Sequence, residues 1–515
     1  MIVGLTDTSN RARRYLVSEQ FSFSFSFDFF PSKPVVVEPS SAQLSSDAGL
    51  LPIRQFDERI GLTGQFAEAL ADPRCPGLVD HTFLEMTRMR IYGILADYPD
   101  QNDHDVLRSD PIFKLICGRT PGDKDLASQP TLSRFENAIA VGCFFRLRDL
   151  LIDQFIASFD EPPTQLTLDI DPFDDPTHGQ QQLTFFHGYY DQYQYLPRVI
   201  TCAENDLVID VCLLHGSAHA ALAAADDLEY VVHRLRRAWP GVQIRIRADT
   251  GLGVPRVYNA CEGLDTLYTI GIGMNSRLKK LSEDTLAEAV KKFETEGEPQ
   301  RLFCAFWYQA DSWPAQRWVV IKCEANAQGT NRRAVVTNRP GAFVLPGAAY
   351  DAYADRGECE NRNKELKCGL QADRLSDHRY FANLFRLYLH AEAHNLLVRM
   401  RREIADPPPE TTSEGKLSEP AGDQLLPESE QENVPSEALT GRRRRQWFNR
   451  RRTRDPLGEG QPCTWRTRLI KVGAIVIERA RRIIVQLSAS WPYLNHYEQI
   501  SARILSAGRE SFDSS

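Results

Sequence analysis

Apolar residues recur at helical spacing along much of the N-terminal part of the chain. The pattern is clearest in two stretches, 79–96 and 136–158, where one face of each predicted helix is apolar. It predicts a helical N-terminal domain over residues 51–160. The preceding residues, 1–50, contain one alternating piece at 21–30 and are otherwise predicted to be a poorly structured arm.

Near residue 164 the spacing of apolar residues changes from helical to alternating. The segment TQLTLDID, 164–171, has the period of two that is typical of a β-strand. Helices are predicted at 223–240 and 254–263. Further strands are predicted at 183–188, 193–200, 207–214, 242–248 and 267–273. Mixed strands followed by alternating helices and strands predict an α/β sheet.

The C-terminal half of the chain has three kinds of pattern. Residues 275–345 lean towards β-structure, and two long helices are predicted after them, at 353–374 and 377–403. Residues 404–440 are rich in Pro, Glu and Ser, which predicts a disordered linker. Residues 441–515 are predicted to form a basic helical tail.

Composition changes this picture only through the distribution of charge. Hydrophobic residues make up 42% and charged residues 25%, which are ordinary values for a globular protein. The net charge is −8, yet the chain is acidic at 97–110 and 158–175 and rich in Arg at 442–454 and 477–482. Such asymmetry favours a polyanionic partner. The Arg-rich segment is expected either to contact DNA or to be a charged tail without a fixed partner.

The cysteines and the apolar runs indicate the compartment. The 11 Cys are odd in number and scattered, with no C-x-x-C pair. This distribution favours a reducing cytoplasm over a disulfide framework or a zinc site. No apolar run approaches the roughly 20 residues of a membrane span. We therefore expect a soluble, cytoplasmic protein without a membrane partner.

One face of the predicted helix at 353–374 combines an acid with cations. At about 100° per residue, Glu360 falls within roughly a 60° arc with three other functional side chains, whereas Glu358 falls on the opposite side. The other members are Tyr353, Arg356 and Lys367, with Lys364 and Arg374 on or near the same stripe. A carboxylate suits a metal, and Arg and Lys suit phosphate oxygens. The alternative is a solvated face with i,i+4 ion pairs.

Acidic residues also stand at the ends of predicted strands. Asp169 and Asp171 share one side of the first sheet strand, and Asp249 follows the strand at 242–248. Strand ends of an α/β sheet commonly line a crevice, although each Asp alone suits a turn or a helix cap. Together with Glu360, they can converge on two Mg²⁺ ions about 4 Å apart, the arrangement used for phosphodiester displacement.

The spacing of these residues resembles a known family. Tyr353-x2-Arg356-x3-Glu360-x6-Lys367 matches the Y-(2)-R-(3)-E-(6)-K signature of the insertion-sequence-four-like bacterial transposases. Several stretches resemble the insertion-sequence transposase family numbered thirteen-eighty, over roughly 45–400 and more weakly in the tail at 463–495. They include LTLDIDPFDDPTHGQQQ (166–182), RIRADTGLG (245–253) and DRGECENRNKELKCGLQADRLSDHRYFANLFRL (355–387).

The resemblance implies an α/β fold with a ribonuclease-H-like catalytic domain. That domain would comprise residues 161–273 and 346–403, with a β-rich insertion at 274–345, after the helical N-terminal DNA-binding domain and before the linker and the basic helical tail. The implied activity is cleavage of transposon ends and strand transfer into target DNA by two Mg²⁺ ions, for which Mn²⁺ can substitute. The implied partners are terminal inverted repeats, target DNA and a second copy in a synaptic dimer. The implied location is the bacterial cytoplasm, at the nucleoid.

The resemblance also assigns the residues of the site. Asp171, Asp249 and Glu360 would be the catalytic and metal-binding acids. The related pattern is Asp-x-Thr, whereas this chain has Phe173 in place of the Thr, so Asp169 stays an alternative to Asp171 as the first acid.

Other residues are assigned to contacts with DNA. The phosphate-binding candidates are Tyr353, Arg356, Lys364, Lys367 and Arg374. Trp307 and Trp318 in the insertion are candidates for stacking on a flipped base, the alternative being that they pack in a core.

Two other functions stay open from the sequence. The Phe173 departure is compatible with a catalytically inactive DNA-binding protein derived from a transposase. A metal-dependent nuclease that cuts DNA without joining it would use the same acids.

Overall fold

The structure, a computed structural model, describes residues 24–27, 33, 35–405 and 460–510. Most of the predicted linker, 404–440, lies outside the described residues, as do the Arg-rich start of the tail and residues 1–23 of the predicted arm. None of the described helices combines the length and the apolar character that crossing a bilayer requires.

Most strands belong to one mixed sheet, and their positions follow the alternating segments of the sequence. The described strands are β1 Phe25–Phe27, β2 Val35–Val37, β3 Leu44–Ser45, β4 Gln165–Pro172, β5 Asp175–Pro176, β6 Phe185–His187, β7 Gln192–Cys202, β8 Val208–Leu214, β9 Gln243–Ala248, β10 Leu267–Ile272, β11 Gln300–Tyr308, β12 Arg317–Asn326, β13 Gly329–Thr337, β14 Ala474–Arg479 and β15 Arg482–Leu487. The protein is therefore of the mixed α/β class, with a large mixed sheet and many helices.

Helices precede the sheet, alternate with its strands and follow it. The helices before the sheet are α1 Leu50–Ile60, α2 Leu62–Ala69, α3 Phe83–Leu95, α4 His104–Leu107, α5 Pro111–Ile116, α6 Gln129–Asn137 and α7 Val141–Ile156. The later ones are α8 Ala224–Ala238, α9 Pro255–Gly263, α10 Ser276–Leu281, α11 Glu283–Glu296, α12 Gly341–Val344, α13 Pro346–Ala354, α14 Gly357–Lys364, α15 Tyr380–Ile404, α16 Pro462–Trp465 and α17 Leu494–Glu510.

The large sheet places β4 and β9 side by side near its middle. Within the described residues it has ten strands, in the order β11-β12-β13-β10-β9-β4-β7, with β5, β6 and β8 all pairing with β7. β9 runs parallel to β4 and β10 parallel to β9, whereas β7 and β13 pair antiparallel with their neighbours. The carboxyl ends of β4 and β9 therefore meet at the same edge of the sheet.

α15 packs between the helical N-terminal part and the sheet. It contacts α3, α6 and α7 on one side and β8 on the other, and its side chains are buried around most of its circumference. Asn395 fixes its position against the sheet, because its amide accepts from Val208 N at 2.8 Å and donates to Val208 O at 2.9 Å. A helix buried on all sides is typical of a protein centre.

The predicted helix at 353–374 is not continuous. α13 ends at Ala354, residues 355 and 356 form a turn, and α14 begins at Gly357 and passes into a π-helical turn at Glu365–Gly369. Glycine is a poor helix former, which is consistent with a break at this point. The prediction that one continuous helix carries Tyr353 to Lys367 on a single face was therefore wrong, although α14 still carries Glu360.

Two other elements differ from the prediction. Residues 474–487 were expected to be helical, but they form the β14–β15 hairpin, since AIVIER and RIIVQL are rich in β-branched residues. β14 also pairs with β3, so the tail packs on the N-terminal part of the chain. Residues 275–345 contain β11 to β13 as expected, together with α10, α11 and the short α12.

Candidate active site

Asp171 and Asp249 lie at the edge of the sheet where β4 and β9 end. Asp171 is the penultimate residue of β4, and Asp249 directly follows β9, the parallel neighbour of β4. Asp249 opens a short 3₁₀ turn and its Oδ1 accepts from Gly251 N at 2.9 Å. The two carboxylates are thus positioned by the sheet, in the crevice that α/β folds commonly use.

Arg356 connects Asp171 to Glu360. Its Nη1 donates to Asp171 Oδ2 at 3.1 Å, and its Nη2 donates to Glu360 Oε1 at 3.0 Å. The Asp171 side chain is 12% exposed, whereas that of Glu360 is 64% exposed, so Glu360 faces solvent at the rim of the site. The structure therefore brings the first and third predicted acids to one guanidinium.

Asn363 is a further member of the site that the sequence reasoning missed. Its buried amide donates from Nδ2 to Asp171 Oδ2 at 2.9 Å. It stands three residues after Glu360 on α14, and that spacing puts both on one helix face. This i+3 relation was the available signal, but a neutral amide carries less chemical information than a charged side chain.

Burial and like charges together make Asp171 a weak acid. Burial, and then the charges of Asp249 and Glu360, raise its pKa to about 7, whereas Arg356 and the hydrogen bond from Asn363 act in the lowering direction. Burial also raises the pKa of Asp249, against the lowering effect of Arg356. Three carboxylates therefore share an electrostatic environment in which additional positive charge is favourable.

Asp169 has a different environment from Asp171 on the same face of β4. Arg247 Nε donates to its Oδ1 at 2.6 Å, and Arg247 Nη2 donates to its Oδ2 at 2.7 Å. The same guanidinium donates to Ala352 O at 3.0 Å, which ties α13 to the sheet. Both oxygens of Asp169 are thus engaged in a buried bidentate pair, which favours Asp171 as the first acid.

Tyr353 and Lys367 lie beside the acids through separate contacts. Charges on Asp249 and Asp171 contribute to raising the pKa of Tyr353, after burial, and Arg356 lies 5.9 Å from its ring centroid. Lys367 Nζ lies 2.5 Å from Asp174 Oδ1, just beyond β4. Lys364 and Arg374 are exposed outside this contact network.

The aromatic residues of the insertion divide into exposed and buried ones. Trp307 is 57% exposed and forms a cluster with Trp318 and Phe343, whose ring centroids lie 5.5 and 5.7 Å from that of Trp307. Trp318 Nε1 donates to Ala342 O at 3.1 Å. Trp313 is buried against Tyr258, so it is a core residue.

The acids have the chemistry of ligands for a divalent cation, but in this structure Asp171 and Glu360 are paired with an arginine. Carboxylates are the hard oxygen donors that Mg²⁺ prefers. Within the part of the chain that the structure describes, no three or more His, Cys, Asp or Glu side chains lie close enough together to hold a metal ion. Because Arg356 pairs with both Asp171 and Glu360, closing a metal site would require it to release at least one of them.

The family of the chain follows from one comparison with known proteins. A family model described as transposase DDE domain, group 1, matches residues 27–414. Among solved structures, the chain matches a piggyBac transposase synaptic complex with hairpin DNA at 14% identity, covering 70% of this chain and 77% of that one, with a TM-score of 0.34. A TM-score this low does not establish a shared fold. No curated protein sequence matches. Because the family model spans most of the sequence, the chain belongs to the DDE-domain transposases, a family of DNA-cleaving enzymes.

Proposed function

We propose that the protein cleaves the ends of its own transposable element and joins them to target DNA in a metal-dependent reaction. Asp171, Asp249 and Glu360 are the proposed catalytic acids. The observation that carries the proposal is their convergence: the ends of two parallel strands and one helix bring the three carboxylates into mutual electrostatic reach around Arg356. The resemblance to the insertion-sequence family numbered thirteen-eighty gives the same three residues.

The catalytic domain is proposed to be ribonuclease-H-like. β4, β7 and β8 form an antiparallel meander, and β9 and β10 follow in parallel on the other side of β4. This five-strand unit, with the first strand at its centre, supports the assignment. β11 to β13 extend the sheet beyond β10, in the place expected for the insertion.

The proposed cofactor is a pair of Mg²⁺ ions, for which Mn²⁺ can substitute, held by Asp171, Asp249 and Glu360. When bound, such ions activate the attacking oxygen and stabilise the leaving oxygen. The residues of the chain have complementary tasks. Asn363 orients Asp171 by its hydrogen bond, and Arg356 stands where its guanidinium can pass from the carboxylates to a phosphate oxygen.

DNA is the proposed substrate and partner. The residues proposed to contact its phosphates are Tyr353, Arg356, Lys364, Lys367 and Arg374. Trp307 and Trp318 are proposed to stack on an extruded base, which is supported by the exposure of the Trp307 ring. The helical region 51–160 is the proposed reader of the terminal inverted repeats, and two copies are proposed to act in a synaptic complex at the bacterial nucleoid.

The proposal is tested with purified full-length protein, Mg²⁺ or Mn²⁺, and DNA carrying the inverted repeats that flank its gene. Glu360→Gln and Asp249→Asn are expected to lower cleavage by roughly 10²-fold or more, because a metal contributes several kcal/mol to the transition state. Asp226→Asn is the matched control, since Asp226 is an exposed acid on α8 that pairs with Arg256 of α9. Cleavage by Glu360→Gln at the parental rate would contradict the assignment.

The products separate the alternatives. Ends joined to target DNA support transposition. Cut ends that are never joined indicate a nuclease, and binding of the repeats without cleavage in either metal indicates an inactive DNA-binding protein, as Phe173 in place of the expected Thr would allow.

A further inference from the structure

An exposed group of aromatic side chains lies on the opposite wing of the sheet from Trp307. It belongs to residues 185–193, which form β6, a tight turn and the start of β7 and are called the aromatic hairpin below. Its exposed rings are Phe185, 45% exposed, Phe186, 48%, Tyr189, 85%, and Tyr193, 61%. Isolated exposed aromatic residues are ordinary, but a contiguous apolar patch commonly marks a binding surface.

The rings form two groups of contacts, one across the two strands and one at the turn. Phe186 and Tyr193 are direct cross-strand partners with ring centroids 5.8 Å apart. Tyr190 links the turn to this pair's strand, because its ring lies 5.0 Å from those of both Tyr189 and His187. The turn is closed by a hydrogen bond from Asp191 N to His187 O at 2.9 Å. The strand pairing and this turn therefore hold the rings in place without burying them.

Two sets of contacts connect the aromatic hairpin to the acids. Where β7 begins after the turn, Gln192 Nε2 donates to Asp174 Oδ2 at 3.2 Å, and Asp174 also pairs with Lys367. At its turn, Tyr190 packs on an apolar cluster together with Ala220. The Ala220 methyl carbon would lie only 3.1 Å from a Cβ on Gly251, in the turn that follows Asp249. The hairpin therefore borders the candidate active site.

The order of the strands gives the same arrangement. β4 and β9, which lead to the first two acids, lie near the middle of the sheet. β11 and β12, with Trp307 and Trp318, form one wing, and β6 and β7 form the other. A DNA strand whose phosphate lies at the acids thus has exposed aromatic rings on the insertion wing and on the hairpin wing.

The charge of the aromatic hairpin indicates which part of a DNA strand it can bind. Residues 183–197 contain no Lys or Arg, so the patch offers no cation to a phosphate or to an anionic lipid surface. Aromatic faces do suit bases, on which they stack with little dependence on sequence. We propose that the aromatic hairpin, chiefly Phe186, Tyr189 and Tyr193, is a stacking platform for unpaired bases of the DNA strand beside the cleaved phosphodiester, an inference that rests on the proposed function.

The test measures base stacking apart from catalysis. Full-length protein is titrated, in EDTA, with a short single-stranded oligonucleotide that carries a fluorescent base analogue, and affinity and base quenching are recorded. A Tyr189→Ala, Tyr193→Ala double variant is expected to bind at least about fivefold more weakly, because stacking is worth about 1–3 kcal/mol per base. Tyr189→Phe keeps a ring and is expected to bind like the parent protein.

Controls keep the outcome specific. Leu505→Ala removes a comparably exposed apolar side chain from α17 and is expected to change neither affinity nor quenching. Thermal melting verifies that the variants are folded, and the single Tyr189→Ala variant is used if the double variant melts early. Unchanged affinity and quenching in a folded Tyr189→Ala variant would overturn the proposal, as would an altered oligomeric state with unchanged binding, which would make the patch a contact between copies.

Failure of the proposed function gives a different result. If the parent protein does not cleave DNA in Mg²⁺ or Mn²⁺ but the hairpin variants still lose binding in EDTA, the stacking surface stands and the catalytic assignment falls. If Glu360→Gln binds the oligonucleotide normally and does not cleave, whereas the double variant binds weakly, both stand.

Discussion

Arg356 is the residue on which the candidate site is centred. Its guanidinium supplies positive charge to Asp171 and Glu360, two carboxylates contributed by different elements. The pKa of Asp171, raised to about 7 despite this pairing, shows that burial and the neighbouring acids outweigh one arginine. One guanidinium therefore does not offset the burial of Asp171 and the charges of the two acids near it.

Two aspartates on the same strand face are expected to respond oppositely to amidation. Burial raises the pKa of Asp169 too, but Asp169→Asn leaves the buried Arg247 without the carboxylate that binds it at two atoms, and is expected to lower the free energy of unfolding by roughly 3–5 kcal/mol. Asp171→Asn removes a carboxylate whose pKa is raised, so at pH 8 it is expected to leave stability equal or higher. Urea unfolding of both variants measures the difference, and similar losses for the two would contradict the distinct roles.

Glu392 predicts a pH dependence of stability that is independent of the site. It is fully buried in α15, and burial, aided by the charge of Asp57, raises its pKa to about 8. Since the folded state holds the proton more tightly than the unfolded state, this group's contribution falls as pH rises from about 4.5 to about 8, by about 1.4 kcal/mol per pH unit. Glu392→Gln is expected to flatten that decline in urea unfolding between pH 5 and pH 8, and an unchanged slope would contradict the assignment.

At the scale of elements, the break between α13 and α14 sets the position of Glu360. A hydrogen bond from Arg247 to Ala352 O holds α13 to the sheet, and a hydrogen bond from Asn363 to Asp171 holds α14 to it. Two anchored helices with a turn between them place Tyr353 and Glu360 separately against the strand ends. In one straight helix through 353–374, the position of Tyr353 would have fixed the position of Glu360.

A substitution at Gly271 would test how closely β10 approaches α13. A Cβ there would lie 2.9 Å from both Thr250 Oγ1 and Tyr353 Oη, and 3.0 Å from Thr250 N. Gly271→Ala is expected to cost about 1–3 kcal/mol of stability and to displace Tyr353. Adding Tyr353→Phe should recover part of the loss, as a double-mutant cycle in urea would show.

Gly263 is the matched control for this substitution. It lies at the end of α9, and a Cβ there would meet nothing within 4 Å. Gly263→Ala is therefore expected to be neutral or slightly stabilising. Equal losses for the two alanine variants would argue against a tight approach at Gly271.

At the scale of the molecule, one buried charge cluster joins the helical N-terminal part to α15. Glu136 on α6 accepts from Arg90 Nε of α3 at 2.7 Å and from Arg386 Nε of α15 at 2.6 Å, and all three side chains are buried. The tail adds a second junction, because β14 pairs with β3 and Lys471 lies 2.7 Å from Asp47. The helical N-terminal part is thus held to α15 and to the tail.

Removing Glu136 should weaken that junction. Glu136→Gln leaves two buried arginines without their shared anion and is expected to cost roughly 3–5 kcal/mol of stability. Replacing Arg90, Glu136 and Arg386 together with apolar residues of similar volume is expected to restore most of it, since no charge is then left unpaired. Urea unfolding compares the variants, and a fully apolar variant that is no more stable than Glu136→Gln would contradict this explanation.

The sequence by itself determined many local elements and indicated the transposase family. Alternating and helical spacing predicted β4, β9, β10, α8 and α9 closely, because those patterns report which side of an element is buried. The choice of Glu360 over Glu358 also came from the sequence, by helical spacing, and stays a prediction. The DDE transposase family, first indicated by spaced motifs, is confirmed by the match over residues 27–414.

Only the tertiary structure decided features that depend on residues distant in sequence. Asp169 and Asp171 are equivalent in pattern, and they differ because Arg247 of β9 binds Asp169 whereas Arg356 and Asn363 contact Asp171. Asn363 contacts Asp171 from α14, which begins after a break in the predicted helix. The spacing of residues in the sequence did not reveal that break. In the tail, β14 pairs with β3, which lies more than 400 residues earlier in the chain. Such contacts join residues that are far apart in the chain, and the local pattern of one segment does not specify its distant partner.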